Sequence, residues 1–564
     1  MKFPKFRLII LLALLGSFSP PLLFNVSPIL PASAALAQSS QSRKAQANQL
    51  FAQGLKQFQV RQFQEALQSW QKALSIYRAI GDRQLEAASL NSIGIVYENL
   101  DDYPKAIENH QQSLAIKREI GDRQGEANSV NNLGIVYRNL RKYPKAIENF
   151  QQSLAIAREI EYSQGEVNAL ANLGIAYENL GDYRKAIDFY EQSLAINREI
   201  GDRAGEAKSL KNLGLAYENL ADYRKAIDFH QQSLAIDREI GDRAGEAKSL
   251  NNLGFAYYFL ADYRKAMENL QQSLTIAREI GDRVAERQSL NGLGIAYRYL
   301  GDYPKAIENL QQSLTIAQQI RDREGEANSV YNLGNVYNSL GDYQKAIEKY
   351  QQSLTIYREI GDRTREANSV YNLGIAYRNL GNYPKAIENL QQSLTIYREI
   401  GDRVGEANSL NNIGYAYNSL GEYQKAIENY QQGLAIARQI RDRSHEINSL
   451  NGLGIVYNSL GDYSKAIDFL QQGLAIAGQI RDRSREAGSV HNLGVVYRNL
   501  KDYRKAIENF QQSLAIYQEI GDHIGQAKSL NNLAITYRAL GDYSKASDFQ
   551  QQSLAIIREI GFSK

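Results

Sequence analysis

A unit of 40 residues recurs thirteen times, without insertion or deletion, from about Lys44 to the C-terminus. Ser89-Leu90-Asn91-Ser92-Ile93-Gly94-Ile95-Val96-Tyr97 returns eight periods later as Ser409-Leu410-Asn411-Asn412-Ile413-Gly414-Tyr415-Ala416-Tyr417. A segment this short cannot bury its own apolar faces, so each copy has to pack against the next, and stability is shared along the array. The 564-residue length, too great for one core, is then accounted for by repetition.

Within one unit, Ala87, Leu90, Ile93, Gly94, Tyr97 and Leu100 follow the three-and-four spacing of a single apolar helix stripe. The pattern predicts a helix A over 84–100. Ala106, Ile107, Leu114, Ile116 and Ile120 define a helix B from about 104 to 119. Punctuation agrees. Pro104, Pro144, Pro304 and Pro384 share one column at the start of helix B, where a missing N–H costs no intrahelical bond. Asp102 and Asp122 stand where a carboxylate caps the following helix. The Gly121 column, which closes helix B, also holds Glu161, Arg321, Arg441 and Arg481, so that turn accepts side chains. In the last helix B the apolar column of Ile107 becomes Ser547 and a contact column becomes Gln550, as expected where a helix meets water.

Leu90, Ile93-Gly94, Tyr97 and Ala106 resemble the tetratricopeptide repeat signature, over essentially all of residues 44–564. Gly recurs in the Gly94 column except at Ala534, and small residues there let two helices approach closely. The departure is length: the family's usual unit is shorter, and this one continues through Ala115 to Arg123, similar to the longer repeats of the spindle adaptor Pins and of kinesin light chains. The resemblance implies an all-α, right-handed superhelix of thirteen helix-turn-helix repeats, with a protein or peptide ligand on the concave face formed by the A helices. A caspase-like domain, which follows such repeats in some bacterial relatives, is not expected.

If the apolar stripe of helix A points into the stack, columns 88, 91, 92, 95, 98 and 99 face the concave side. The column of residue 92 holds Asn132, Asn172, Asn212, Asn252, Asn332, Asn372, Asn412, Asn492 and Asn532, interrupted by Ser92, Gly292 and Gly452. Asn is a mediocre helix former, so its repetition needs a cause. Its amide suits the alternating N–H and C=O groups of an extended peptide, or alternatively bonds neighbouring repeats. Phe255, Tyr258, Phe259, Arg298, Tyr299, Tyr331 and Tyr371 add aromatic and arginine anchors to the expected groove, or fill gaps between helices. Down column 98, Glu98, Glu178 and Glu218 come early, whereas Arg298, Arg378, Arg498 and Arg538 come late, broken by Arg138 and softened by Lys208, Lys211 and Lys248. A ligand with opposite charge polarity along its length would match that gradient.

Lys2, Lys5 and Arg7 precede an apolar run over 8–18, and small-residue sites follow at Ala32-Ser33-Ala34 and Ala35-Leu36-Ala37. The pattern predicts an export signal over 1–37, cleaved after Ala37, then a short linker over 38–43 and the repeats over 44–564. The destination is the periplasm or the exterior; an uncleaved membrane anchor is the alternative. Removing 1–37 takes away three of the 65 basic residues and none of the 62 acidic ones, leaving the rest formally neutral, with no general field for nucleic acid. With no Cys there is no disulfide or thiolate site. His110, His230, His445, His491 and His523 lie in different repeats, and Ser449 stands where a zinc-protease motif beginning at His445-Glu446 needs its second His. No cofactor, metal or catalytic residue is therefore expected. A protein-binding scaffold is the expected role, and a self-associating structural array the alternative.

Overall fold

The computed structural model describes residues 32–559, and the side chains of residues 40–558. The expected signal lies outside the described residues except for 32–37. Those six residues and the expected linker 38–43 belong to one helix, Ala32–Gln59, which pairs with Phe63–Ile80 as the first repeat. The second repeat pairs Arg83–Asn99 with Tyr103–Glu119, and the pattern continues to His523–Ala539 with Tyr543–Glu559. Among the described residues there are 26 helices and no strand. None of these helices is long and apolar enough to cross a membrane.

The helix boundaries follow from local chemistry. Asp122 Oδ1 accepts from the Gly125 N–H at 2.7 Å and Asp102 Oδ1 from the Lys105 N–H at 3.3 Å, so first-turn donors are satisfied as predicted. Among the described residues, each helix B from Phe63–Ile80 to Tyr503–Glu519 is followed by a left-handed residue. At Gly121 φ is 72° and nothing lies within 4 Å of an added Cβ, which is why Glu161, Arg321, Arg441 and Arg481 hold the same conformation at φ of 53° to 57°. Leu100, expected within the buried stripe, is instead the C-cap residue of its helix. Its column sits at the edge of the array and is about half exposed, as at Leu180 and Leu300, because the helix stops before completing another turn against its neighbour.

The chain divides into two compact units, one through Ile276 and one from Ala277. Within each, helix B is held between its own helix A and that of the next repeat. In the second unit, Leu390 and Leu394 of Tyr383–Ile400 pack with Ala407, Leu410 and Ile413 of Arg403–Ser419 and Ile436 of Tyr423–Gln439. Fully burying each such leucine contributes about 1.5–3 kcal/mol. Gly374 allows the close approach the sequence implied: a Cβ there would lie 2.6 Å from Leu390 Cγ and 3.2 Å from the Ala386 carbonyl oxygen. A buried serine joint ties repeats together, as where Ser233 Oγ donates to the Ala207 carbonyl and meets Ser249 Oγ, both at 3.0 Å.

Beyond these sequential pairs, A helices also touch the next A helix. Arg123–Asn139 meets Ser163–Asn179 in the first unit, and Arg403–Ser419 meets Arg443–Leu460 in the second. B helices make no comparable contact among the described residues. The A helices therefore form the inner side of each unit.

Candidate partner-binding surface

The stripe of Ala87, Leu90 and Ile93 is buried against B helices, which leaves columns 91, 92, 95 and 98 turned toward neighbouring A helices and the inner side. The column-92 asparagines turn out to be connectors between repeats. Asn132 Nδ2 donates to Asn91 Oδ1 at 2.9 Å, Asn172 to Asn131 at 3.1 Å, and Asn332 to Asn291 at 3.1 Å, each reaching back one repeat. Where column 91 changes, the bond adapts: Asn372 donates to Tyr331 Oη at 2.7 Å, Asn412 to Tyr371 Oη at 2.8 Å, and Asn532 lies 3.2 Å from His491 Nε2. The amide oxygen is also used, accepting from the arginine of column 98 in the preceding repeat: Arg138 onto Asn172 at 3.0 Å, Arg378 onto Asn412, and Arg498 onto Asn532 at 2.5 Å. At Asn172, Asn412 and Asn532 both ends of the amide are thus committed within the fold. Asn212 and Asn492 make no such bond, and Asn252 Nδ2 is buried without a partner.

The aromatic candidates divide in the same way. Tyr331 packs 5.8 Å from Tyr350 and 6.5 Å from Tyr357, and burial pushes its hydroxyl up to about 12. Tyr371 packs 6.5 Å from Tyr397, and burial raises its hydroxyl too. Both serve as interior acceptors for the asparagine ladder. Phe255 and Tyr258 are half-buried. Phe259, 51% exposed at the last position of its helix, stacks on Tyr223 at 5.0 Å and lies 5.2 Å from Tyr258, so this cluster sits on the A-to-B edge. Arg298 lies over the ring of Tyr299 at 4.4 Å, at the corresponding edge of its own helix.

The early glutamates of column 98 serve buried rings of helix B. Tyr190 Oη donates to Glu178 Oε2 at 2.9 Å, Asn219 donates to its other oxygen at 3.0 Å, and His230 Nε2 lies 3.0 Å from Glu218 Oε1. Burial raises the Glu178 carboxyl above its ordinary range, with Glu218 adding to the rise against those two donors. The acidic half of the expected charge gradient is accordingly internal wiring. Lys105, at the start of helix B, bonds Asp102 at 2.7 Å and lies over the Tyr97 ring at 5.2 Å.

Column 95 brings apolar side chains to solvent on the inner side. Ile375 is half-buried, while Tyr415, Ile455 and Ile535 are 46%, 38% and 43% exposed. A shallow recess in the second unit is lined by Ile455, Asn458, Leu470, Asn492, Val495 and Val496. Sequence reasoning placed column 95 on this side but picked out only Phe255. The available signal was that the column is apolar from Ile95 onward at every repeat except Asn335, although it lies off the core stripe. Among the described residues no cluster of three or more His, Cys, Asp or Glu could hold a metal.

Tandem helix pairs with an accessible inner row of A helices define a helical-repeat scaffold. The tetratricopeptide repeat family model matches in overlapping segments that tile the chain, 54–119, 125–199, 205–279, 245–319, 283–359, 325–399, 365–439, 405–479 and 486–559. The chain belongs to that family, as an all-α solenoid of about thirteen repeats. Among curated proteins no sequence relative matches. Similar solved structures include BtubC (BKLC) from P. vanneervenii, at 20% identity over 39% of this chain and 93% of that one, TM-score 0.34. The quorum sensor NprR from B. thuringiensis, in its apo form, shares 18% identity over 60% of this chain and 99% of its own, TM-score 0.44. PH0952 of Pyrococcus horikoshii, a signal transduction ATPase with numerous domains and a tetratricopeptide repeat sensor, shares 18% over 66% and 56%, TM-score 0.49.

Proposed function

We propose that this protein is a scaffold that holds a segment of a partner protein along the inner row of A helices. The observation that carries the reading is the column of apolar side chains from Ile375 to Ile535, left partly open to solvent where an ordinary helix surface would be polar. Tyr415 and Ile455 flank ladder positions, and Ile455 opens onto a recess, which suits side chains of an extended or helical segment. The test is position-resolved: a photocrosslinking residue in place of Tyr415 should capture a partner that the same residue in place of the exposed helix B Gln431 does not, and Ile455→Glu should abolish the capture. Equal capture from both positions, or capture indifferent to Ile455→Glu, refutes the reading.

The same scaffold is proposed to work outside the cytoplasm after cleavage behind Ala37, on the strength of the basic, apolar and small-residue order over 1–37. Mass spectrometry of the purified protein should find an N-terminus at Gln38. An intact N-terminus in the membrane fraction would replace this with the anchored form.

A further inference from the structure

In the second unit, the arginines that open the A helices are neutralised one by one. Arg283, Arg323, Arg363, Arg403, Arg443 and Arg483, each at the first position of a helix A, lie on the Glu three residues later. The inner side differs. Columns 88, 91, 92, 95, 98 and 99 of the A helices from Arg283–Tyr299 to His523–Ala539 contain no Asp or Glu, yet they carry Arg298, Arg378, Arg498, Arg538 and Lys528. Among the described residues none of these five forms an ion pair. Their contacts are neutral: Arg378 bonds the amides of Asn412 and Asn379, Arg498 that of Asn532, and Arg298 and Arg378 lie over the rings of Tyr299 and Tyr415 at 4.4 and 5.1 Å.

A guanidinium held by an amide oxygen keeps its full charge and some of its five donors, in an orientation fixed beforehand. A partial desolvation cost is already present, since burial lowers the Arg498 pKa with no anion to offset it. Beside each of Arg298, Arg378, Arg498 and Arg538, three residues earlier on the same helix, stands an apolar residue of column 95: Ile295, Ile375, Val495 and Ile535. Cation and apolar contact therefore stand side by side on four of these A helices, the others carrying Asn338, Asn418 and Asn458 in the cation's column.

Resting on the partner-holding reading above, we infer that the inner side of the second unit takes an acidic polypeptide segment studded with apolar side chains. Charge complementarity supplies the acidic half and column 95 the apolar half. A nucleic acid fits less well, because its evenly charged backbone makes no use of Ile375, Ile455, Val495 and Ile535. The first unit differs, because Glu178 and Glu218 lie in the corresponding column and Lys211 is already neutralised by Asp237 at 2.8 Å.

Fluorescence anisotropy on the full chain tests this with a labelled peptide alternating glutamate with leucine, its glutamine counterpart, and single-stranded oligothymidine. The glutamate peptide should bind at least about tenfold more tightly than the glutamine one and weaken with added salt. Arg378→Gln with Arg498→Gln should remove that preference, and Arg378→Lys with Arg498→Lys should retain its salt dependence, which separates lost charge from a disturbed asparagine ladder. Equal binding of the two peptides, an unchanged preference in the glutamine variant, or tighter binding of oligothymidine overturns the inference. Crosslinking from Tyr415 reads the partner-holding role without reference to charge, so either idea can fail while the other stands.

Discussion

Lys211 and Asp237 form a buried ion pair whose removal can be predicted from neighbouring repeats. The ammonium lies 2.8 and 2.9 Å from the two carboxylate oxygens, and the residues are 9% and 1% exposed. Asp237 also accepts from Ser249 at 2.7 Å and Ser233 at 3.4 Å. Lys211→Asn leaves that carboxylate buried on two hydroxyls, and breaking such a pair from one side costs about 3–5 kcal/mol. Elsewhere the same two columns read Asn411 with Ala437 and Asn451 with Ala477. Lys211→Asn combined with Asp237→Ala installs that pairing, so the double variant should return to within about 1 kcal/mol of the parent, recovering about 2–4 kcal/mol of the single variant's loss. Lys248, whose pKa is lowered by burial and then by Lys211 and Lys208, should titrate higher once Lys211 is gone. Guanidinium unfolding followed by circular dichroism gives the energies, and hydrogen exchange confirms that the loss centres on Arg203–Asn219 and Tyr223–Glu239. A single variant costing less than about 1 kcal/mol, or a double variant no better than the single, would refute the reasoning.

Burial, then Lys528 and Arg498, push the His491 imidazole from 6.5 down to about 4. Above pH 6.5 it is neutral folded or unfolded; as pH falls from 6.5 to 4 only the unfolded chain takes the proton, so about 3 kcal/mol of stability is lost. His491→Asn should flatten this part of the pH profile in denaturant titrations, and an unaltered profile would contradict it. Gly374→Ala should cost about 1–3 kcal/mol through overlap with Leu390, while Gly361→Arg, in a column that already holds Arg321 and Arg441, should cost about 1–2 kcal/mol or less. Thermal melts showing the reverse order would disprove that account. Trp70→Phe should destabilise the first repeat, because it empties space against Gly54 and leaves the Phe51 carbonyl without the indole donor at 3.0 Å, and unchanged exchange in Phe63–Ile80 would count against it.

The repeat, the helix pairs, the caps and the tolerant turn were legible because each depends on local chemistry within one 40-residue copy. The functional columns were less so, because their roles depend on what lies one copy away. Asn412 looks like a ligand reader until its amide is seen between Tyr371 and Arg378, and Glu178 looks like ligand charge until Tyr190 is seen donating to it. Tyr331 resembles an interface anchor in sequence, yet Tyr350 and Tyr357 make it interior. Spacing identifies which face a residue occupies; it does not reveal which neighbour reaches that face first.

The serine joint has an evolutionary corollary. Ser233 with Ser249, Ser313 with Ser329 at 2.8 Å and Ser513 with Ser529 at 2.9 Å present nearly the same mating surfaces at distant points of the chain. Deleting or duplicating one whole period between such joints therefore rejoins serine surfaces that already fit, so slippage during replication can alter the reach of the array with the backbone joint preserved.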